Sequence, residues 1–92
     1  MQRRVRFRVS GRVQGVAYRA SAVDAAMKEG VVGWVRNLAT GDVDGIVQGE
    51  ASAVDGFLAW AAKGPPGARV DRLSATDEEV IDGDFSRFEI RR

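Results

Sequence analysis

The first third of the chain shows two clear patterns of polar and apolar residues. Apolar residues alternate with arginines over residues 4–10, which is the period of a half-buried β-strand. Apolar residues then recur at helical spacing from Tyr18 to Glu29, and Gly30 suits the position just after a helix. We therefore predict a strand over 4–10 and a helix over 18–29. The arginines of the strand form either a solvated face or a surface that attracts anions: Arg4, Arg6 and Arg8.

A hairpin and a second helix are predicted in the middle of the chain. Apolar runs over residues 31–38 and 43–48 flank a short turn that contains Gly41, as in antiparallel hairpins. In the second run, Gly45 lies on the same face as two valines, and we expect it to leave room for a closely packed helix. We expect the second helix to begin at Ser52, because a helical stripe follows it: Val54, Phe57, Leu58 and Ala61.

Two more strands complete the predicted sheet. Residues 69–75 alternate imperfectly, because Val70 and Leu73 fall on opposite faces, so we expect a bulge or an edge position there. An acidic loop over 76–84 then leads to a closing strand over 85–91. The order β-α-β-β-α-β with a short last strand predicts an α+β, ferredoxin-like sandwich. In this fold a mostly antiparallel sheet carries both helices on one face.

Composition excludes several classes of function. The 92 residues suffice for a single domain, 1–92, and 14 basic against 13 acidic residues leave a net charge of +1, which recruits neither nucleic acid nor a membrane surface. The chain has no cysteine and no histidine, which removes disulfides, thiolate metal sites and the usual general base. No apolar run has the length of a membrane span. We expect a free-standing, monomeric, cytoplasmic domain without a cofactor or metal.

The connection between the first strand and the first helix is the candidate binding site. We call residues 11–19, Gly-Arg-Val-Gln-Gly-Val-Ala-Tyr-Arg, the signature loop. Gly11 and Gly15 allow positive φ angles and a close approach of a ligand to the backbone. The helix start offers unpaired N–H groups, and Arg19 adds a cation whose planar fork suits phosphate oxygens. The pattern favours a phosphate cradle, and the alternative is a solvated arginine beside an ordinary turn.

Asn37 is the second candidate for a role in the site. It lies near the end of the predicted second strand, and its amide can hold a water while it contacts a phosphoryl oxygen. The residues alone leave open that Asn37 instead bonds to the hairpin backbone. The acidic residues are weaker candidates, since 77–79 is typical of a solvated loop and Asp42 and Asp44 are typical hairpin residues.

The signature loop resembles one of the two signatures of the acylphosphatase family. Residues 33–38, followed by 40–43 and Gly49, are similar to the other signature, and the resemblance extends over essentially the whole chain. It implies a ferredoxin-like fold and hydrolysis of a small acyl phosphate to a carboxylate and inorganic phosphate, without a metal. It also implies that Arg19 binds the phosphate and that Asn37 positions the attacking water. The other implied phosphate-binding residues are Gln14, Gly15, Val16, Ala17 and Tyr18.

Two other functions are compatible with the sequence. A non-catalytic module of the same fold would bind phosphate or a ligand like carbamoyl phosphate without cleaving it. RNA-recognition motifs share the order of elements, but they need exposed aromatic residues on the central strands, and the predicted third strand has none. Ala17 stands where the family often has a larger residue, which leaves the shape of the substrate pocket open.

Overall fold

The computed structural model describes residues 1–92 as five strands and two helices. The strands form one sheet in the order β4-β1-β3-β2-β5, in which only the β2–β5 pair is parallel. The predicted ferredoxin-like α+β sandwich is thus confirmed. The elements in chain order are β1 (Gln2–Arg12), α1 (Tyr18–Glu29), β2 (Val32–Asn37), β3 (Val43–Glu50), α2 (Ala51–Ala61), β4 (Arg69–Glu78) and β5 (Phe88–Arg91).

Both helices pack on one face of the sheet and enclose a single apolar core of 15 buried residues. Phe57 of α2 lies at its centre, with its ring 5.4 Å from that of Phe7 and 5.2 Å from that of Phe88 between centroids. The core therefore joins α2 to both β1 and β5. Neither helix has the length and apolar character needed to cross a membrane.

Gly45 leaves room for an aromatic ring rather than for a helix. It faces Phe7 across the β1–β3 pair, and a Cβ atom added at Gly45 would lie 2.8 Å from the Phe7 ring. The Phe7 ring in turn packs edge-on against Phe57 of α2. The prediction of close helix packing at Gly45 is wrong, because Phe7 fills the space between the glycine and the helix.

The opposite face of the sheet carries a layer of ion pairs, which we call the ion-pair face. The arginines of β1 on this face are neither simply solvated nor free to attract anions, because each one meets a carboxylate. The contacts are Arg4 with Glu78 (3.3 Å) and Asp84 (2.6 Å), Arg6 with Asp44 (2.7 Å), and Arg8 with Asp42 (2.7 Å).

Asp44 is the most buried acid of the ion-pair face. Its side chain is 5 % exposed and accepts hydrogen bonds from Arg36 (2.8 Å) and Arg6 (2.7 Å). Burial by itself would raise the pKa of Asp44, but the hydrogen bonds from Arg36 and Arg6 outweigh it and lower the pKa below its ordinary value. Arg36 also stacks on Trp34, with its guanidinium carbon 5.0 Å from the ring centroid. Arg36 of the ion-pair face therefore packs against an aromatic ring as well as pairing with a carboxylate.

β4 is longer than predicted, and its acidic end is not a solvated loop. Asp77 and Glu78 lie in the strand and pair with Arg3 (2.9 Å) and Arg4 (3.3 Å) of β1. The expected edge position and bulge are both confirmed, since β4 pairs only with β1 and its register shifts next to Gly11. The apolar residues of β4 predict only its first part, and the acidic end of the strand pairs with arginines of β1 that are distant in sequence.

Residues 79–87 lie against the ion-pair face and do not extend β5. The Gln48 side chain donates to the carbonyl oxygen of Ile81 (3.1 Å) and accepts from its N–H (3.4 Å). β5 begins at Phe88 and not at Phe85 as predicted. Asp84 and the ring of Phe85 instead contact the Arg4 guanidinium of β1, at 2.6 Å and at 5.0 Å from the ring centroid.

α2 begins one residue earlier than predicted and without a serine cap. β3 pairs with β1 as far as Glu50, so the chain passes directly from strand to helix at Ala51. The N–H of Ala51 donates to the Met1 carbonyl oxygen (2.8 Å), and the Met1 ammonium pairs with Glu50 (2.8 Å). Ser52 therefore lies inside the first turn, and the chain terminus takes the place of a side-chain cap.

The ion pairs of Asp44 give a prediction for stability. We expect Asp44→Asn to lower the free energy of unfolding at neutral pH by about 1–2 kcal/mol. This is less than is usual for breaking a fully buried ion pair, because Arg6 and Arg36 are partly exposed. The folded protein lowers the pKa of Asp44, so this contribution is present above the unfolded pKa of about 3.9 and is lost as the pH falls through the folded pKa.

Urea unfolding of wild type and Asp44→Asn from about pH 7 to about pH 3 measures this difference. We expect the two free energies of unfolding to converge in acid. A difference that stays constant over the whole range would show that the charge of Asp44 does not produce it.

Candidate active site

The signature loop bends between β1 and α1 through two residues with positive φ. Gly15 has a φ of 74°, and Ala17, at 62°, is the one non-glycine residue of the chain with positive φ. Such a conformation costs a residue with a Cβ about 1 kcal/mol or more, so the surrounding contacts must hold Ala17 in place. Gly11 belongs to the sheet instead, because its φ is 122° and a Cβ there would collide with the backbone of Arg69 and Asp71.

The Gln14 side chain ties the signature loop to the β2–β3 turn, residues 38–42. Its Nε2 donates to the carbonyl oxygens of Leu38 (2.8 Å) and Asp42 (2.9 Å). The N–H of Leu38 also donates to the Asp42 carbonyl (2.8 Å), which closes the turn. Because Leu38 directly follows Asn37, these bonds bring Asn37 beside the loop. Both amide donors of Gln14 are therefore engaged within the protein.

A cleft of about 190 Å³ lies where the signature loop, the start of α1 and the ends of β2 and β5 meet. Asn37 and Ile90 complete its lining, so the structure brings Arg19 and Asn37 to one site. Ile90 was not among the predicted site residues, although it shares a face with Phe88 in the predicted last strand and the closing residues 88–90 also resemble the family. The loop and helix residues of the lining include Val13, Gln14, Gly15, Ala17, Arg19 and Ala20.

Asn37 brings a buried polar atom without a partner to this cleft. It is the last residue of β2 and pairs with Val43 of β3, so the sheet fixes its backbone. Its side-chain oxygen Oδ1 is buried and has no hydrogen-bond partner. A buried acceptor left in this state costs about 1–3 kcal/mol, and native structures seldom keep one without a reason. Oδ1 does not satisfy the hairpin backbone and is available to a donor that enters the cleft.

Arg19 presents an unpaired guanidinium to the same cleft. It lies in the first turn of α1, and none of the ion pairs of the structure includes it. The first N–H of α1 with a partner is that of Ser21, which donates to Ala17 (3.0 Å). The cap residue, Ala17, offers no side-chain bond. A cation and unpaired N–H groups at one point suit an anion with several acceptor oxygens.

Two of the predicted phosphate-binding residues pack against the protein with their side chains. Tyr18 is 2 % exposed, its hydroxyl donates to the Ala61 carbonyl oxygen (2.7 Å), and burial raises the pKa of this phenol above its ordinary value. Val16 is half-buried against the core and does not line the cleft. These side chains anchor the loop. Tyr18 and Val16 can therefore contact a phosphate only through their backbone N–H groups.

A wider cleft of about 270 Å³ lies between α1 and the segment after α2, and we do not assign the site to it. It is lined by Trp60, Pro65 and Pro66 and by side chains of both charge signs from α1. It contains no arginine, and the one buried side-chain atom without a partner, Oδ1 of Asn37, lies elsewhere. No group of three or more acidic side chains is arranged to hold a metal ion.

The fold and the cleft define a small ferredoxin-like sandwich with a loop suited to anions, and comparison with known proteins identifies its family. The acylphosphatase family model matches residues 5–90. The chain is 48 % identical over 90 residues to an acylphosphatase of Methylococcus capsulatus, covering 98 % of this chain and 97 % of that protein. It is 51 % identical to an acylphosphatase of Anaeromyxobacter dehalogenans, covering 96 % and 94 %.

Solved structures agree with this assignment. The fold matches the crystal structure of an acylphosphatase from Bacillus subtilis with a TM-score of 0.92 and 33 % sequence identity, covering 100 % of both chains. The chain therefore belongs to the acylphosphatase family, and its activity is that of a hydrolase acting on acyl phosphates. The resemblance seen in the signature loop is confirmed.

The two bonds of Gln14 give a prediction for the site. We expect Gln14→Met to lower kcat about tenfold, since the loop and the β2–β3 turn lose the contact that sets their spacing. We also expect a loss of about 1–2 kcal/mol in the free energy of unfolding. Gln48→Met is the matched control, because Gln48 makes comparable bonds to Ile81 away from the cleft.

The two variants are compared by acyl phosphate hydrolysis and by urea unfolding. A similar loss of stability with unchanged kcat is expected for Gln48→Met. If Gln14→Met also kept the wild-type kcat, the bonds of Gln14 would serve stability alone.

Proposed function

We propose that the protein cleaves the carboxyl–phosphate bond of small acyl phosphates without a metal ion, with Arg19 and Asn37 as its catalytic residues. One observation carries the proposal: the buried, unpartnered Oδ1 of Asn37 lines the same cleft as the unpaired Arg19. Phosphoryl transfer depends mainly on positioning and on charge stabilisation. Arg19 supplies a cation that stabilises the charge on the phosphoryl oxygens, and Asn37 supplies an acceptor that positions the attacking water.

The signature loop is the proposed phosphate-binding loop. The backbone N–H groups of residues 15–20 have no partner within the protein, and nothing lies within 4 Å of the space where a Cβ of Gly15 would stand. A phosphoryl group can therefore approach the backbone closely at Gly15. Charge-assisted bonds from Arg19 and bonds from these N–H groups would stabilise the equatorial oxygens as the charge on them shifts.

Asn37 is proposed to align the attacking water. Its Oδ1 accepts a hydrogen bond from the water, which directs the water oxygen toward phosphorus on the side opposite the acyl oxygen. The water oxygen forms the new bond to phosphorus, the bond from phosphorus to the acyl oxygen breaks, and its electron pair leaves with the carboxylate. The proton of the water passes to a phosphoryl oxygen of the substrate.

The proposed reaction needs no acid for the leaving group. A carboxylate has a conjugate acid with a pKa of about 4, so it departs as an anion at neutral pH. No carboxylate, histidine or cysteine lines the cleft, and the chain contains no histidine or cysteine at all. The residues present therefore match the demands of an acyl phosphate.

We extend the proposal to a monomeric, cytoplasmic protein that acts as one domain, residues 1–92, and does not bind nucleic acid. The net charge of +1 and the absence of cysteine support it. The sheet face that RNA-recognition motifs use for base stacking carries ion pairs in this protein. Its one tryptophan, Trp34, is 7 % exposed beneath the guanidinium groups of Arg6 and Arg36.

Phosphate release from acetyl phosphate in the presence of EDTA tests the mechanism. Arg19→Ala is expected to lower kcat/KM by roughly 10³-fold, because it removes the cation at the phosphoryl group. Asn37→Ala is expected to lower kcat by about 10²-fold while phosphate still binds. Arg72→Ala is the matched control, since Arg72 is exposed on β4, forms no ion pair and lies outside the cleft. It should keep the wild-type rate.

Each variant is first checked for a native circular dichroism spectrum. A wild-type protein that binds phosphate through Arg19 but releases none from acetyl phosphate would be the non-catalytic module instead. Loss of wild-type activity in EDTA would refute the metal-independent mechanism while leaving the family assignment intact.

Alkyl phosphates give a second test of the leaving-group argument. We expect ethyl phosphate to be hydrolysed at least about 10³-fold more slowly than acetyl phosphate, because an alkoxide needs a proton donor and the cleft has no acid. The measurement is phosphate release from each substrate at equal concentration. Comparable rates would mean that the site contains an acid that the structure does not reveal.

A further inference from the structure

The cleft opens past Arg19 into a broader groove that the proposed mechanism does not use. This groove has a volume of about 570 Å³ and is lined by Arg19, Ile90 and Arg92. Arg19 and Ile90 also line the inner cleft, so the two spaces are continuous at these residues. A substrate whose phosphate lies at Arg19 and the loop N–H groups would extend its acyl group into the groove.

Ile90 is the apolar side chain at this opening. Its residue is 44 % exposed, and it is not among the 15 residues of the core. Its backbone is fixed, because β5 pairs in parallel with β2 and Ile90 lies opposite Val35. Phe88, two residues earlier, is buried in the core and anchors the strand. The structure thus holds a half-exposed aliphatic surface in a constant place beside the phosphate site.

Arg92 is the other residue of the groove that could determine substrate selectivity. It follows β5, and no ion pair or side-chain hydrogen bond holds its guanidinium. An anionic acyl group would have to order this long side chain on binding, which costs conformational entropy. Ile90 is already held in position, so contact with it does not require this loss of conformational entropy. The groove therefore favours contact with an apolar group.

We propose that Ile90 is a specificity-determining residue that makes the protein prefer acyl phosphates with an aromatic or branched acyl group over acetyl phosphate. The inference rests on the proposed function, since it places the phosphate at Arg19. An apolar acyl group would cover the exposed part of Ile90, and removing that area from water favours binding. The contact is made equally in the ground state and the transition state, so it acts on KM more than on kcat.

Steady-state hydrolysis of benzoyl phosphate and acetyl phosphate tests the proposal. Ile90→Ala is expected to lower the ratio of kcat/KM for benzoyl phosphate to that for acetyl phosphate by about fivefold, mainly through the KM for benzoyl phosphate. Ile90→Leu keeps the apolar area and should keep most of the ratio. Ile81→Ala is the matched control, because Ile81 is 51 % exposed and lies outside the cleft and groove. It should leave the ratio unchanged.

Thermal unfolding of each variant confirms that the fold persists. An unchanged ratio in Ile90→Ala, or an equal loss for both substrates, would overturn the proposal. A lost preference in Arg92→Gln with an unaffected Ile90→Ala would assign the selectivity to charge and overturn it as well. Failure of the proposed function has a different signature, because Arg19→Ala would then hydrolyse both substrates at the wild-type rate whatever Ile90→Ala does to the ratio.

Discussion

The side-chain amide of Gln14 is the contact on which the geometry of the site depends. The signature loop and the β2–β3 turn are separate parts of the chain, and the two bonds from Gln14 fix the distance between them. The same turn is also held from the ion-pair face, where Arg8 bonds to Asp42 (2.7 Å) and Thr40 (3.3 Å). A turn clamped from both faces of the sheet can hold Asn37 with an unsatisfied oxygen, because it has little freedom to relax.

The two faces of the sheet are stabilised by different physical means. A chain of this size buries too little surface to cover both faces with helices, so only one face has an apolar core. On the other face, arginines of β1 pair with acids of β3 and β4, and Arg6 and Arg36 pack against Trp34. The stability of the sheet therefore does not depend on the cleft, which is free to keep a strained Ala17 and an orphaned Asn37 oxygen.

Local periodicity predicted the existence of every helix and strand, most clearly for β1 and α1, whose core residues recur at strand and helix spacing. The bounds of α1 agree with the prediction, since Gly30 ends the helix with a φ of 76°. The errors at α2, β4 and β5 all involve contacts between distant residues, such as that of Gln48 with Ile81, which no local pattern records. Arg19 and Asn37 were candidates from the residues themselves, and the family resemblance implied their roles. The bonds of Gln14 and the place of Ile90, in contrast, depend on how the turn and β5 pack.

Arg19 differs from Arg4, Arg6 and Arg8 in having no counter-ion, and this separates the effects of dissolved salt on activity and on stability. Each of these pairs has at least one partly or fully buried partner, and such pairs are screened much less by salt than exposed ones, so ionic strength changes stability weakly. If Arg19 binds the phosphoryl group as proposed, any small anion that fits the cleft competes for the same guanidinium. Sulfate, and the phosphate that the reaction itself releases, would then compete with substrate at concentrations that leave the fold intact, so that turnover would slow as product accumulates.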